Sequence, residues 1–124
     1  MAGNAVGCAI AALLPNAGAA AAAAKRLETP LPELFLKAAF CGVLIYIAVD
    51  VYKTRGQLVA TFFCVPAFIL AGFEHSVADM YYFFAAREFS GRMWLSLLVI
   101  LVGNGVGAVS LNLWKKFTRR GEEA

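Results

Sequence analysis

Charge is what most of this sequence does without. Met1 to Ala24, Ala38 to Val49 and Met93 to Trp114 contain no Asp, Glu, Lys, Arg or His, and between Gln57 and Ala86 the exceptions are Glu74, His75 and Asp79. Histidine occurs once in 124 residues, which excludes a bis-histidine haem site within one chain. The three cysteines, Cys8, Cys41 and Cys64, are odd in number, far apart and set in apolar segments. That spacing offers neither a disulfide framework nor a metal site, so they read as small buried hydrophobes. No Ser/His/Asp arrangement, phosphate loop or metal cluster is present; the chain reads as a non-enzyme without a cofactor. A net charge of +3 is no nucleic-acid signal, because the basic residues sit at segment ends and not along a stripe.

What the chain has in excess is apolar surface. An apolar content of 61% and a mean hydropathy of +0.72 exceed those of an ordinary soluble domain and point to a membrane. One single transmembrane domain over 1–124 is expected, with the lipid bilayer as its first partner. It would hold a helix over about 2–24, a span over about 34–52, an interrupted span over about 57–86, a span over about 93–115, and a basic tail over 115–124. The fold class is therefore an all-α membrane bundle of three to four helices. A signal peptide is the rival for the first segment, but the positive n-region is absent and Pro15-Asn16 interrupts the apolar run.

The segment 57–86 is too long for one straight span of about 20 residues, and Pro66 and Gly72 are the usual breakers. At a helix centre each carboxylate costs about 2.5–3.5 kcal/mol, while each Leu, Ile, Phe or Val contributes about 0.3–0.6 in favour. Glu74 and Asp79 together oppose insertion by about 5–7 kcal/mol, nearly all that the surrounding apolar residues supply. Ionisable groups at that depth face a cavity or another helix and mark a pathway. A helix broken around Gly72–Ser76 with His75 at the break is the expectation; the competing reading is a soluble core helix with a hydrogen-bonded histidine. Gly3-Asn4-Ala5-Val6-Gly7 recurs as Gly103-Asn104-Gly105-Val106-Gly107. Both are Gly-x-x-x-Gly, which lets helix backbones approach, with an Asn able to bond across the interface. Repeats of this kind occur in transporters built from two homologous halves.

Polarity at the ends sets the orientation. Lys25 to Glu33 is a polar connector with two prolines, Lys53-Thr54-Arg55-Gly56 a basic loop, and Lys115 to Arg120 a basic tail. The positive-inside rule places the 53–56 loop and the C-terminus in the cytoplasm, with 25–33 and 87–92 outside. Asp50 is expected at the interface, and Trp94 and Trp114 as interfacial anchors.

Gly72-Phe73-Glu74-His75-Ser76-Val77-Ala78-Asp79-Met80 closely resembles the Gly-Phe-Glu-His-Ser-(Ile/Val)-Ala-(Asn/Asp)-Met signature of the formate/nitrite transporters. Leu36 to Val49 looks like that family's fourth helix, Gly103-Asn104-x-x-Gly107 like the motif of its sixth, and Gly3-Asn4-x-x-Gly7 like the end of its third. The resemblance implies a homopentamer in the plasma or inner membrane. Each protomer would be an aquaporin-like six-helix bundle, conducting small monovalent anions such as formate, nitrite or hydrosulfide. It further implies that His75 is the central pore histidine, Phe68 the cytoplasmic-side constriction and Glu74 the preceding acid, with Gly72 and Ser76 at the break. Gly103, Asn104, Gly107, Gly3, Asn4 and Gly7 would pack helices. Two departures stand out: the chain starts where the family's third helix would, and Asp79 stands where many members have Asn, which would place a charge beside the pore pathway of His75, Glu74, Phe68, Ser76 and Gly72. A fragment that needs a partner half, or that does not transport, is the main alternative. A membrane anchor of a redox complex is the weaker one.

Overall fold

The computed structural model describes residues 2–14 and 16–123, with Glu122 and Glu123 as backbone only. Met1, Ala124 and Pro15, the last invoked above as an interruption, lie outside the described residues. Among those described every regular element is a helix: α1 (Ala2–Ala11), α2 (Ala19–Glu28), α3 (Leu31–Arg55), α4 (Val59–Leu70), α5 (Ser76–Ala85) and α6 (Gly91–Glu123).

The expected single helix over 2–24 is two helices instead. Asn16 supplies a reason: its Oδ1 accepts from the Gly18 N–H at 3.0 Å, a local turn that competes with helix, while its Nδ2 donates to the Tyr81 hydroxyl at 2.9 Å. The connector 25–33 shrinks to Thr29–Pro30, because Pro30 and Pro32 sit at the start of α3, where a missing N–H removes no helical bond. The two prolines thus start a helix as well as ending one. The basic tail continues α6 as helix.

Among the described residues two helices are long and apolar enough to cross a membrane, Leu31–Arg55 and Gly91–Gly121. At 25 and 33 residues, α3 and α6 are about 37 and 50 Å long. They run parallel: Ala38 meets Gly103, Gly42 meets Asn104, Tyr46 bonds to Asn112 and Asp50 pairs with Lys115. Their glycines make this possible. A Cβ on Gly107 would lie 1.9 Å from the Ala39 carbonyl oxygen, and one on Gly42 would lie 2.1 Å from that of Asn104.

Since α3 and α6 point the same way, α4 and α5 together form the return pass between them. α4 continues through Pro66 and stops at Gly72 (φ +67°), where the Gly72 N–H bonds to the Ile69 carbonyl and the Phe73 N–H to that of Phe68. This is the Schellman pattern, and it favours glycine at that position. α5 ends in the same pattern with Arg87 (φ +53°) in the left-handed place. The core has two clusters. Cys8, Ala23, Met80, Phe83, Met93 and Leu97 join α1, α2, α5 and α6, and Leu34, Ala38 and Ile100 join α3 to α6. Outside them, apolar side chains such as Leu13, Phe62, Phe63 and Leu70 are exposed by three quarters or so of their surface, which suits a hydrocarbon surround and not water.

Candidate functional site

The site is built on the joint between α4 and α5. His75 caps α5 in extended conformation (φ −111°, ψ 119°), so the chain crosses from one helical piece to the next through the non-helical residues 71–75. The joint is tied down by Asn104 of α6. The Asn104 Nδ2 donates to the Glu74 carbonyl at 2.9 Å and to the Ala38 carbonyl at 2.8 Å, and its Oδ1 accepts from the Ser76 N–H at 3.0 Å. The same Oδ1 lies 3.4 Å from His75 Nδ1, a bond that forms when that nitrogen carries the proton. One amide thus holds α3, α6 and both sides of the joint.

Of the backbone N–H groups from Gly72 to Ser76, those of Gly72, Phe73 and Ser76 are engaged as described. Among the described residues, nothing accepts from the N–H groups of Glu74, His75, Val77 or Ala78.

His75 is half-buried, with its ring edge-on to Phe68 at 5.8 Å between centroids. Two cavities meet it. One of about 490 Å³ is lined by Gly3, Asn4, Gly7 and Cys8 of α1 and Val77, Ala78 and Tyr81 of α5. The other, of about 240 Å³, is lined by Ile45 and Ala48 of α3 and Thr61, Cys64, Val65 and Phe68 of α4. Of all the residues lining either, His75 alone lines both.

Glu74 and Asp79 point away from these cavities, into the protein. Both are buried, Asp79 completely, and both meet the guanidinium of Arg26. The Arg26 Nε lies 3.0 Å from Glu74 Oε2 and hydrogen-bonds to Asp79 Oδ1; its Nη1 donates to the Ala22 carbonyl at 2.8 Å. The guanidinium lies 4.7 Å from the Tyr82 ring centroid. Glu74 Oε2 is close enough for ion pairing but out of line for a hydrogen bond, and Asp79 Oδ2 has no hydrogen-bond partner among the described residues. Two carboxylates therefore share one cation, at a depth where an unpaired charge is expensive.

Arg26 is the residue that reading the sequence missed, having been left in an outer connector. A signal existed: two acids inside an apolar segment require a cation, and α2 ends at one. Of the other sequence-derived positions, Gly103, Asn104 and Gly107 sit in the α3–α6 contact. Gly3 and Gly7 have nothing within 4 Å of an added Cβ, and Asn4 is exposed. Asp50 pairs with Lys115 at the far end of α3.

An interrupted helix with a half-buried histidine at the joint, anchored between two apolar helices of spanning length, is the arrangement of an all-α membrane protein. Residues 1–115 match the family model described as formate/nitrite transporter. The chain belongs to that family. It is 34% identical over 92 residues to the nitrite transporter NirC of Salmonella typhimurium, covering 63% of this chain and 34% of that protein. To the nitrite transporter NirC of Escherichia coli it is 36% identical over 58 residues, covering 44% of this chain and 22% of that protein. The matches thus span about a third or less of those relatives' length. No solved structure matches.

Proposed function

We propose that the chain carries small monovalent anions of weak acids, of the formate, nitrite or hydrosulfide type, along a route that passes His75. The observation that carries this reading is the position of the imidazole as the one side chain common to two cavities, edge-on to Phe68. Family membership and the nitrite transporters among its relatives support the substrate class and speak against an enzyme.

An anion entering an apolar passage loses its hydration, at an idealised cost of about 20 kcal/mol that relaxation and water penetration reduce to several. Crossing as the neutral acid avoids most of it. A histidine changes charge at physiological pH, so His75 can hand a proton to the anion or hydrogen-bond to it and set the pH response. With Nδ1–H turned to Asn104, Nε2 is the atom left for the substrate. Phe68 narrows the passage and excludes water. Gly72 shapes the joint, and Ser76 opens α5, whose N–H groups and dipole favour an anion nearby. Glu74 and Asp79 act through Arg26, fixing the joint and not binding substrate.

Lys53, Arg55, Lys115, Lys116, Arg119 and Arg120 gather at one end of the parallel α3–α6 pair. By the positive-inside rule that end is cytoplasmic, with the protein multi-pass in the plasma or inner membrane. The family resemblance supports a homopentamer as the assembly. A second reading, a half-transporter completed by a partner, is favoured by one feature: the 490 Å³ cavity is walled by α1 and α5 alone, on the open side of Gly3 and Gly7.

Formate and nitrite uptake by proteoliposomes tests both. The His75→Phe variant should abolish pH-dependent flux. Flux and pH response unchanged from wild type would end the proton-donor role. Wild-type vesicles that stay silent until a partner half is added would select the second reading.

A further inference from the structure

At the end of the bundle remote from the α4–α5 joint, α3 and α6 flank an open surface hollow of about 350 Å³, in which Asn112, Lys116, Arg119 and Arg120 are exposed. It is lined by Tyr46 and Asp50 of α3 and by Asn112, Lys115, Lys116, Arg119 and Arg120 of α6. It shares no residue with the cavities that meet His75. Positions 112, 115, 116, 119 and 120 follow helical spacing, so one stripe of α6 faces it. Four cations and one carboxylate line it, a surplus of three positive charges among these residues (four minus one), and Asp50 is already tied to Lys115. The Tyr46 hydroxyl donates to Asn112 Oδ1 at 3.3 Å, which leaves the Asn112 amide N–H groups to donate elsewhere.

We propose that this hollow is a binding site for a phosphate group. Arginine forks match phosphate oxygens in pairs, Lys116 adds a point charge, and Asn112 adds neutral donors that fix the group's orientation. The flanking face of α6 presents Leu113, Trp114 and Phe117, each exposed by half or more of its surface or nearly so (49%, 69% and 69%). Apolar and aromatic residues interleaved with basic ones mark the water–membrane boundary, where a phosphodiester headgroup would lie with its acyl chains along that face. Free phosphate offers the same chemistry from the aqueous side.

Trp114 reports on both sources once Trp94→Phe makes it the sole tryptophan of the full chain. In phosphatidylcholine vesicles containing a minor fraction of acyl-brominated phosphatidylglycerol, Trp114 should be quenched about fivefold more per mole than by brominated phosphatidylcholine, roughly the factor that one basic contact supplies. Combined Lys116→Gln, Arg119→Gln and Arg120→Gln should erase the preference. Asn112→Leu, which alters no charge, should lower it at least by half. In vesicles of phosphatidylcholine alone, an emission shift on adding inorganic phosphate, absent from Asn112→Leu, would support the site and assign it to the free ion. Equal quenching by both lipids with no phosphate response would overturn the proposal. So would a lipid preference that survives Asn112→Leu intact, since diffuse surface charge would then suffice.

Discussion

The two copies of the Gly-Asn-x-x-Gly element share residue types and spacing but live in opposite surroundings. On α6, Gly103 and Gly107 press against the α3 backbone, and Asn104 spends its amide on Ala38, Glu74 and Ser76. On α1, Gly3 and Gly7 meet nothing within 4 Å, and Asn4 borders the larger cavity beside His75. A motif of small residues thus states a capacity for close approach. Whether that capacity is used depends on what the rest of the fold brings to it.

The largest expected contrast comes from adding side chains. Gly107→Val should destabilise the protein by about 3 kcal/mol or more, because the obstacle is backbone and cannot swing aside. Gly7→Ala should stabilise it by about 0.5–1 kcal/mol, as expected for an exposed helical glycine. Thermal unfolding in detergent micelles reads both. A loss of stability from Gly7→Ala would mean that α1 is covered in the assembled protein, breaking the contrast.

Removing the amides comes next. Asn104→Ala leaves the Ser76 N–H and two carbonyls unpaired at the joint, a loss of about 2–3 kcal/mol at roughly 1 kcal/mol per bond. Asn4→Ala should stay within about 0.5 kcal/mol, as for most surface changes. Hydrogen exchange at Ser76 sharpens the comparison, since it should rise in the first variant and not in the second.

The smallest effect concerns the pair of matching helix ends. Gly72 and Arg87 occupy the same left-handed place in the same capping pattern. Arg87→Gly should therefore stabilise α5 by about 1 kcal/mol, the strain a side chain pays there. An unchanged melting temperature would show that the Arg87 side chain compensates through contacts of its own.

The all-helical fold and the interruption near Gly72 were legible in the sequence, because charge-free runs and a glycine inside one of them leave few alternatives. Phe68 was singled out by its seven-residue spacing from His75 in the family resemblance, whereas the edge-on contact of the two rings is visible only in the fold. For Arg26 the sequence held only half of the answer: two buried acids require a cation, but which cation it is follows from the packing of α2 against α5. The split of the first segment was hidden likewise, since Asn16 acts through a turn with Gly18 and a bond to Tyr81, 65 positions away. Long-range hydrogen bonds leave no periodicity behind them.

Asn104 belongs to three elements at the same moment, and this has a mechanical corollary. A slide or rotation of α6 cannot leave the loop between α4 and α5 where it was, because a single planar amide grips that loop and α3 together.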